Sequence, residues 1–154
     1  MKTLLQNWKI YLDTCCLSRP FNDQTPIRIR QETEAIEIIL KNFSTGDWSW
    51  IVSGALTFEV DNNPEVSQRN EMKFQMADAY IDVSISEIEI ARGRDLEKLG
   101  FKRLDALHLA CAEKGNADVF LTIDDRLLRR AKRLSSKLRV RVENPYEWLR
   151  SGDN

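Results

Sequence analysis

The 154-residue chain has only three cysteines, Cys15, Cys16 and Cys111, an odd number with no framework spacing. That argues against a disulfide-stapled secreted domain and for reduced thiols in a reducing compartment. No apolar run is long enough to span a bilayer. The opening MKTLLQNWK is interrupted by Gln6, Asn7 and Lys9, so no signal-peptide core is expected and a cytoplasmic protein is. Internal repeats, low-complexity tracts and Pro/Gly-rich linkers are all missing, so one domain over residues 1–154 is expected, long enough for a real core. With a net charge of −1 the molecule is no polycation, and any nucleic acid would have to be held by local patches.

What is present is an alternation of short β-like runs with longer helical ones. Lys9–Leu12 reads as a first strand and Ser18–Pro26 as a loop. Ile29, Ile36, Leu40 and Phe43 recur as one apolar helix face, stopped by Gly46. Trp48–Ser53 reads as a second strand. A helix starts near Ala55 and breaks at Asn62, Asn63 and Pro64. Met72, Met76 and Tyr80 share a face of the next helix, and Ile81–Ser84 forms a short strand. Ser86 and Glu89 make a capping box for a helix ended by Gly100. Leu104, Leu107 and Cys111 are the core stripe of a helix that stops at Gly115. Ala117–Thr122 reads as a buried strand, followed by a helix with Leu127, Leu128, Ala131 and Leu134 on its apolar face. Leu138, Val140 and Val142 alternate with Arg139, Arg141 and Glu143, as in an edge strand with one wet face. Such alternation implies an α/β sandwich: a mostly parallel sheet between two helical layers.

Ligands of open parallel sheets bind beyond the carboxyl ends of the strands. Asp13 sits at such an end, and Asp124 and Asp125 at another. Glu59 lies near the expected start of the helix after the second strand, and Asp105 begins the helix LDALHLACAEKG. Each has an ordinary explanation, since an aspartate at a helix start is commonly a cap and Glu59 could be a solvated charge. Asp13 is harder to explain so, because acids seldom end an apolar strand without a partner. Converging carboxylates repel, and a divalent cation is the natural compensation. Oxygen ligands with no histidine pair nearby favour Mg²⁺ or Mn²⁺ over Zn²⁺. Such an ion suits hydrolysis of a phosphodiester.

YLDT with Asp13, SGALTFEV with Glu59, LDALHLA with Asp105 and LTIDD with Asp124 together resemble the PIN domain family, the nuclease fold of many VapC-type toxins of bacterial toxin–antitoxin pairs. The resemblance runs from IYLDT to the last strand. It implies a five-stranded sheet of order 3-2-1-4-5 and a metal-dependent endoribonuclease. On this resemblance Asp13, Glu59, Asp105 and Asp124 hold one or two Mg²⁺ or Mn²⁺ ions, and a water on the metal is the nucleophile. Asp125 is the other candidate for the last position, the register being open by one residue. Thr14 and Thr122 are expected to orient ligands through their hydroxyls. RNA is the implied substrate, a protein antitoxin the implied partner and a homodimer the implied assembly. The alternative within the family is a catalytically weak module acting by RNA or protein binding, which would not need four clustered acids. The lead Met1–Trp8 and the loop Ser18–Pro26 stand outside the minimal pattern, as surfaces for substrate choice or a partner.

Other phosphoryl chemistries fit less well. A receiver would need an acidic pair near the first strand and a late lysine closing a strand, and a haloacid-dehalogenase-like phosphatase would need an acid at position 15, where Cys15 stands. Arg126–Arg141 holds eight basic residues and no acidic one. It is either a solvated helix face or a phosphate-binding stripe, with Arg126, Arg129 and Arg130 as the candidates to seat RNA. His108 shares a helix face with Asp105, and a structural role is expected of it rather than that of a base. The three cysteines are expected to pack as small hydrophobes rather than bind zinc, and Trp48 and Trp50 to pack in the core rather than stack on bases.

Overall fold

The computed structural model describes residues 6–151, so Met1–Leu5 of the lead lie outside the described residues. Five strands alternate with helices: β1 (Lys9–Leu12), β2 (Ser49–Ser53), β3 (Ile81–Val83), β4 (Val119–Leu121) and β5 (Arg141–Glu143). They form one sheet in the order β3-β2-β1-β4-β5, and every pairing is parallel, where a mostly parallel sheet was expected. The connections run outward from β1 to β3 on one side, and then to β5 on the other. The order therefore reverses at β1 and β4, the kind of crevice where parallel sheets bind ligands.

Both faces of the sheet are buried, which explains the near-continuous apolar runs of the central strands. Successive residues turn to opposite faces. Ile10, Leu12, Trp50, Val52, Val119 and Leu121 enter one core, and Tyr11, Ile51 and Phe120 the other. The first core is covered by α1 (Thr14–Ser18), α2 (Ile27–Thr45), α3 (Gly54–Asp61), α4 (Val66–Met76) and α8 (Pro145–Ser151). The second is covered by α5 (Glu87–Lys98), α6 (Arg103–Lys114) and α7 (Asp125–Arg133). Trp48 and Trp50 pack in the first core as expected, and Trp8 meets Trp148 edge-on there with ring centroids 5.3 Å apart. No helix among the described residues is long and apolar enough to cross a membrane.

Local signals set several helix ends. The Ser86–Glu89 capping box starts α5. Gly46 ends α2 in the left-handed region (φ 81°), which costs glycine no steric penalty. Several expectations need correction. Ser18–Pro26 is not all loop, since α1 ends at Ser18 and a 3₁₀ turn covers Arg19–Phe21. Tyr80 lies beyond α4, and its backbone N–H donates to Trp50 O as the chain enters β3. On α6, Leu104 and Leu107 are only half-buried, and the buried stripe is Ala106, Leu109, Ala110, Cys111 and Ala112 with His108. The short helix α8 adds Trp148 to the core and was not expected.

Candidate functional site

The cleft is built at the carboxyl ends of β1 and β4. Asp13 follows β1 directly, is 6% exposed, and donates its backbone N–H to Leu121 O (2.9 Å). Thr122 follows β4 and donates its hydroxyl to Asp13 Oδ2 (2.7 Å). The same hydroxyl oxygen accepts from the backbone N–H of Asp124 (3.1 Å), tying the two strand ends together. Glu59 reaches in from the second turn of α3, not from near its start as expected, and Thr14 of α1 donates to its Oε1 (2.7 Å). Both threonine hydroxyls thus hold acids of the candidate set. Asp105 stands in the first turn of α6. Asp124 caps α7, accepting from the N–H groups of Arg126 (2.9 Å) and Leu127 (3.3 Å) on Oδ1.

A pattern recurs across three of these acids. Asp13 is held by Oδ2, Glu59 by Oε1 and Asp124 by Oδ1, while the second oxygen of each has no hydrogen bond among the described residues. Fixing one oxygen and presenting the other is how a carboxylate is oriented as a ligand. Asp13, Glu59 and His108 each offer one ligand atom within 4.8 Å of the others. Asp105 and Asp124 are outside that tight group. They border the same cleft, since the charges of Asp13 and Asp124 both act on Asp105.

His108 is fully buried, with both ring nitrogens engaged: Nε2 lies 2.5 Å from Glu59 Oε1, and Nδ1 lies 2.6 Å from the Tyr11 hydroxyl. Tyr11 also meets Ser53 Oγ (2.6 Å), which accepts from Leu56 N–H as the cap of α3. Burial raises the Tyr11 phenol well above its ordinary range, so it remains a donor. Tyr11 thus bridges Ser53 and Nδ1, and Nε2 faces the Glu59 carboxylate, which can only accept. His108 thus contacts Glu59 directly, and it is the third member of the tight group with Asp13 and Glu59. Burial pushes the Glu59 carboxyl up, but the hydrogen bonds from His108 and Thr14 outweigh this and hold it below its usual value.

The electrostatics set this cleft apart from the other acids. Asp105 is pushed up to about 6, by burial first and then by the charges of Asp13 and Asp124, against weaker lowering from His108 and Lys102. Among the described residues, no Lys or Arg side chain bonds any of Asp13, Glu59, Asp105 or Asp124. Elsewhere, buried Glu32 takes Arg19 and Arg28, and Glu113 takes Arg92. A set of hard oxygen donors without a cationic side chain fits a divalent ion such as Mg²⁺ or Mn²⁺.

Asp125 does not share the cleft. Arg28 grips it with two hydrogen bonds of 2.8 Å and also donates to Ile123 O (3.3 Å). This clamp on either side of Asp124 leaves Asp124 as the member of the pair beside the other acids. Sequence reasoning missed both Arg28 and Tyr11, each 97 residues from its partner. It also treated the cysteines as one class. Cys16 and Cys111 are buried, and burial raises both thiols, Cys111 to about 11. Cys15 instead touches Asp13 Oδ2 (3.3 Å) and Thr122 Oγ1 (3.4 Å) at the cleft edge.

No family model matches the chain, and no curated protein matches it in sequence. Solved structures do match in fold. A toxin–antitoxin complex from Klebsiella pneumoniae aligns with a TM-score of 0.58 at 19% identity, covering 89% of this chain and 98% of that one. VapBC2 from Rickettsia felis, bound to a DNA fragment from its promoter, aligns at 0.54 and 17%, covering 88% and 98%. VapBC-1 from nontypeable Haemophilus influenzae aligns at 0.52 and 14%, covering 89% and 98%. The chain is similar to these in fold, and its α/β sheet of order 3-2-1-4-5 is the PIN-like arrangement that they share.

Proposed function

We propose that the protein is a divalent-metal-dependent endoribonuclease of the PIN type, acting as the toxin of a toxin–antitoxin pair. The observation that carries this reading is the set of acids left without a Lys or Arg partner at the sheet's switch point, Asp13 and Glu59 grouped with His108 and Asp105 and Asp124 bordering the same cleft. Asp13, Glu59, Asp105 and Asp124 would hold Mg²⁺ or Mn²⁺. When bound, the ion supplies Lewis-acid polarisation of the phosphodiester and a lowered pKa for water. The chain's own residues keep the geometry: Thr122 fixes Asp13, Thr14 and His108 fix Glu59, and the α7 cap fixes Asp124. The nearby PIN-like structures, solved as toxin–antitoxin assemblies, support a protein antitoxin as partner. A homodimer is proposed on the family resemblance alone.

The test is cleavage of structured RNA with Mg²⁺ or Mn²⁺, against EDTA and against Asp13→Ala and Asp105→Ala. Cleavage should vanish with EDTA and fall at least about a hundredfold in each variant, a loss of roughly 2.7 kcal/mol of transition-state stabilisation. Cleavage that persists in EDTA or in both variants refutes the mechanism. Binding of RNA with no cleavage under any of these conditions favours the catalytically weak module instead.

A further inference from the structure

The eight basic residues of Arg126–Arg141 are not equivalent once folded. Lys132 and Arg141 both bond Glu143, at 2.7 and 2.8 Å, and share its single negative charge. Arg130 instead donates Nη1 to Gly100 O (2.5 Å), which draws its guanidinium across the turn between α5 and α6. Gly100 allows this twice over. Its φ of 106° disfavours other residues, and a Cβ there would collide with the guanidinium. A backbone carbonyl orients Arg130 without cancelling its charge. Arg126 and Lys102 are exposed, and their side chains form no bond among the described residues. These three cations, from two different segments, line one small cavity of about 90 Å³ together with Asp105 and Asp124.

We propose that this cavity seats one backbone phosphate of an RNA strand, adjacent to the phosphate at the acid cluster. The proposal rests on the nuclease reading and adds where the strand lies. Two guanidinium groups and one ammonium group on the cavity's lining suit the oxygens of a phosphate. Asp105 and Asp124 would repel such a phosphate, but the cations outnumber them three to two. Had the cations served only to neutralise these acids, ion pairs would join them, and none does among the described residues. A seat of this kind fixes the register of the strand without reading its sequence. It also narrows the basic stripe to Arg126 and Arg130 and adds Lys102, which lies outside that stretch.

The experiment is fluorescence anisotropy with a short labelled oligouridylate in EDTA, repeated across salt concentrations. Lys102→Ala and Arg126→Ala, both at exposed positions, are compared singly and together with Arg133→Ala and Arg139→Ala as stripe controls. Thermal melts check that each variant folds. The pocket variants should each weaken binding several-fold, and the controls less than about twofold. Because both cations face one phosphate, the double variant should flatten the salt slope by about 0.7 only, the value for a single phosphate of a single strand. Controls that weaken binding as much as the pocket variants overturn the seat, and so does a double variant that loses about twice that slope. Cleavage in Mg²⁺ is followed in parallel. Wild-type protein that binds with this signature and never cleaves refutes the nuclease reading and keeps the seat. Wild-type protein that cleaves while pocket variants match the controls refutes the seat alone, and no RNA binding at all refutes both.

Discussion

Tyr11 directs its hydroxyl into a fully buried chain that ends on Glu59, and its ring stacks on Phe120 with centroids 5.2 Å apart. Tyr11→Phe keeps the stack and removes only the hydroxyl. His108 Nδ1 and Ser53 Oγ then lose a partner in the interior, where an unsatisfied polar group costs about 1–3 kcal/mol. Urea melts should show a lower midpoint with an unchanged slope. Asp105 gives a pH signature of its own. Its carboxyl titrates at about 6 in the fold, above its ordinary 3.8, so between these values the folded state keeps a proton that the unfolded chain has released. Its contribution to stability is therefore full at acid pH and is lost as pH rises through about 6. In EDTA, Asp105→Asn should melt a few degrees above the wild type at pH 7, and the gap should close near pH 4. Equal melting points at both pH values would show that the repulsion is not felt.

At the scale of elements, the clamp from α2 onto the start of α7 decides which aspartate enters the cleft. Arg28 holds Asp125 and Ile123 O, and buried Glu32 holds Arg28 while also taking Arg19 and Asn144. Arg28→Ala should lower Mn²⁺ affinity, read by electron paramagnetic resonance, by roughly 10–100-fold, the usual cost of losing support behind a ligand. Made in an Asp124→Asn background, the same change should cost little more, because its effect passes through Asp124. Additive losses would mean that the clamp acts elsewhere. This part of the site was illegible in the sequence, because Arg28 and Asp125 are far apart along the chain and neither carries a local signature. The strands and most helices were legible, since apolar runs, Gly46 and the Ser86–Glu89 box are local signals. The helices α1 and α8, of 5 and 7 residues, were not, because a period needs more than two turns to show. Met72 and Met76 fit one face, but Tyr80 shared their spacing by coincidence.

Across the whole molecule, the acids at 13, 105 and 124 were legible as candidates because each follows a strand or begins a helix, and Glu59 because it lies in the helix that follows β2. Their convergence depended on the sheet order, which local pattern does not encode. Since the folded state alone brings them together, a divalent ion should stabilise it: about 2.7 kcal/mol at a hundred times its dissociation constant. The melting point of the wild type should climb with Mn²⁺, and that of Asp13→Ala should not. A wild type indifferent to Mn²⁺ would count against the ion site. The order of the sheet also bears on the history of each copy. Of the five described strands β1 is made first, yet it lies in the middle and needs β4, more than 100 residues later, as its neighbour. During synthesis the amino-terminal half can form helices and pair β1 with β2, yet Asp13 still lacks the Thr122 hydroxyl that holds it. The centre cannot be completed until residues past Asp124 are free of the ribosome. A half-made chain thus lacks the assembled acid cluster, and only the finished one carries it.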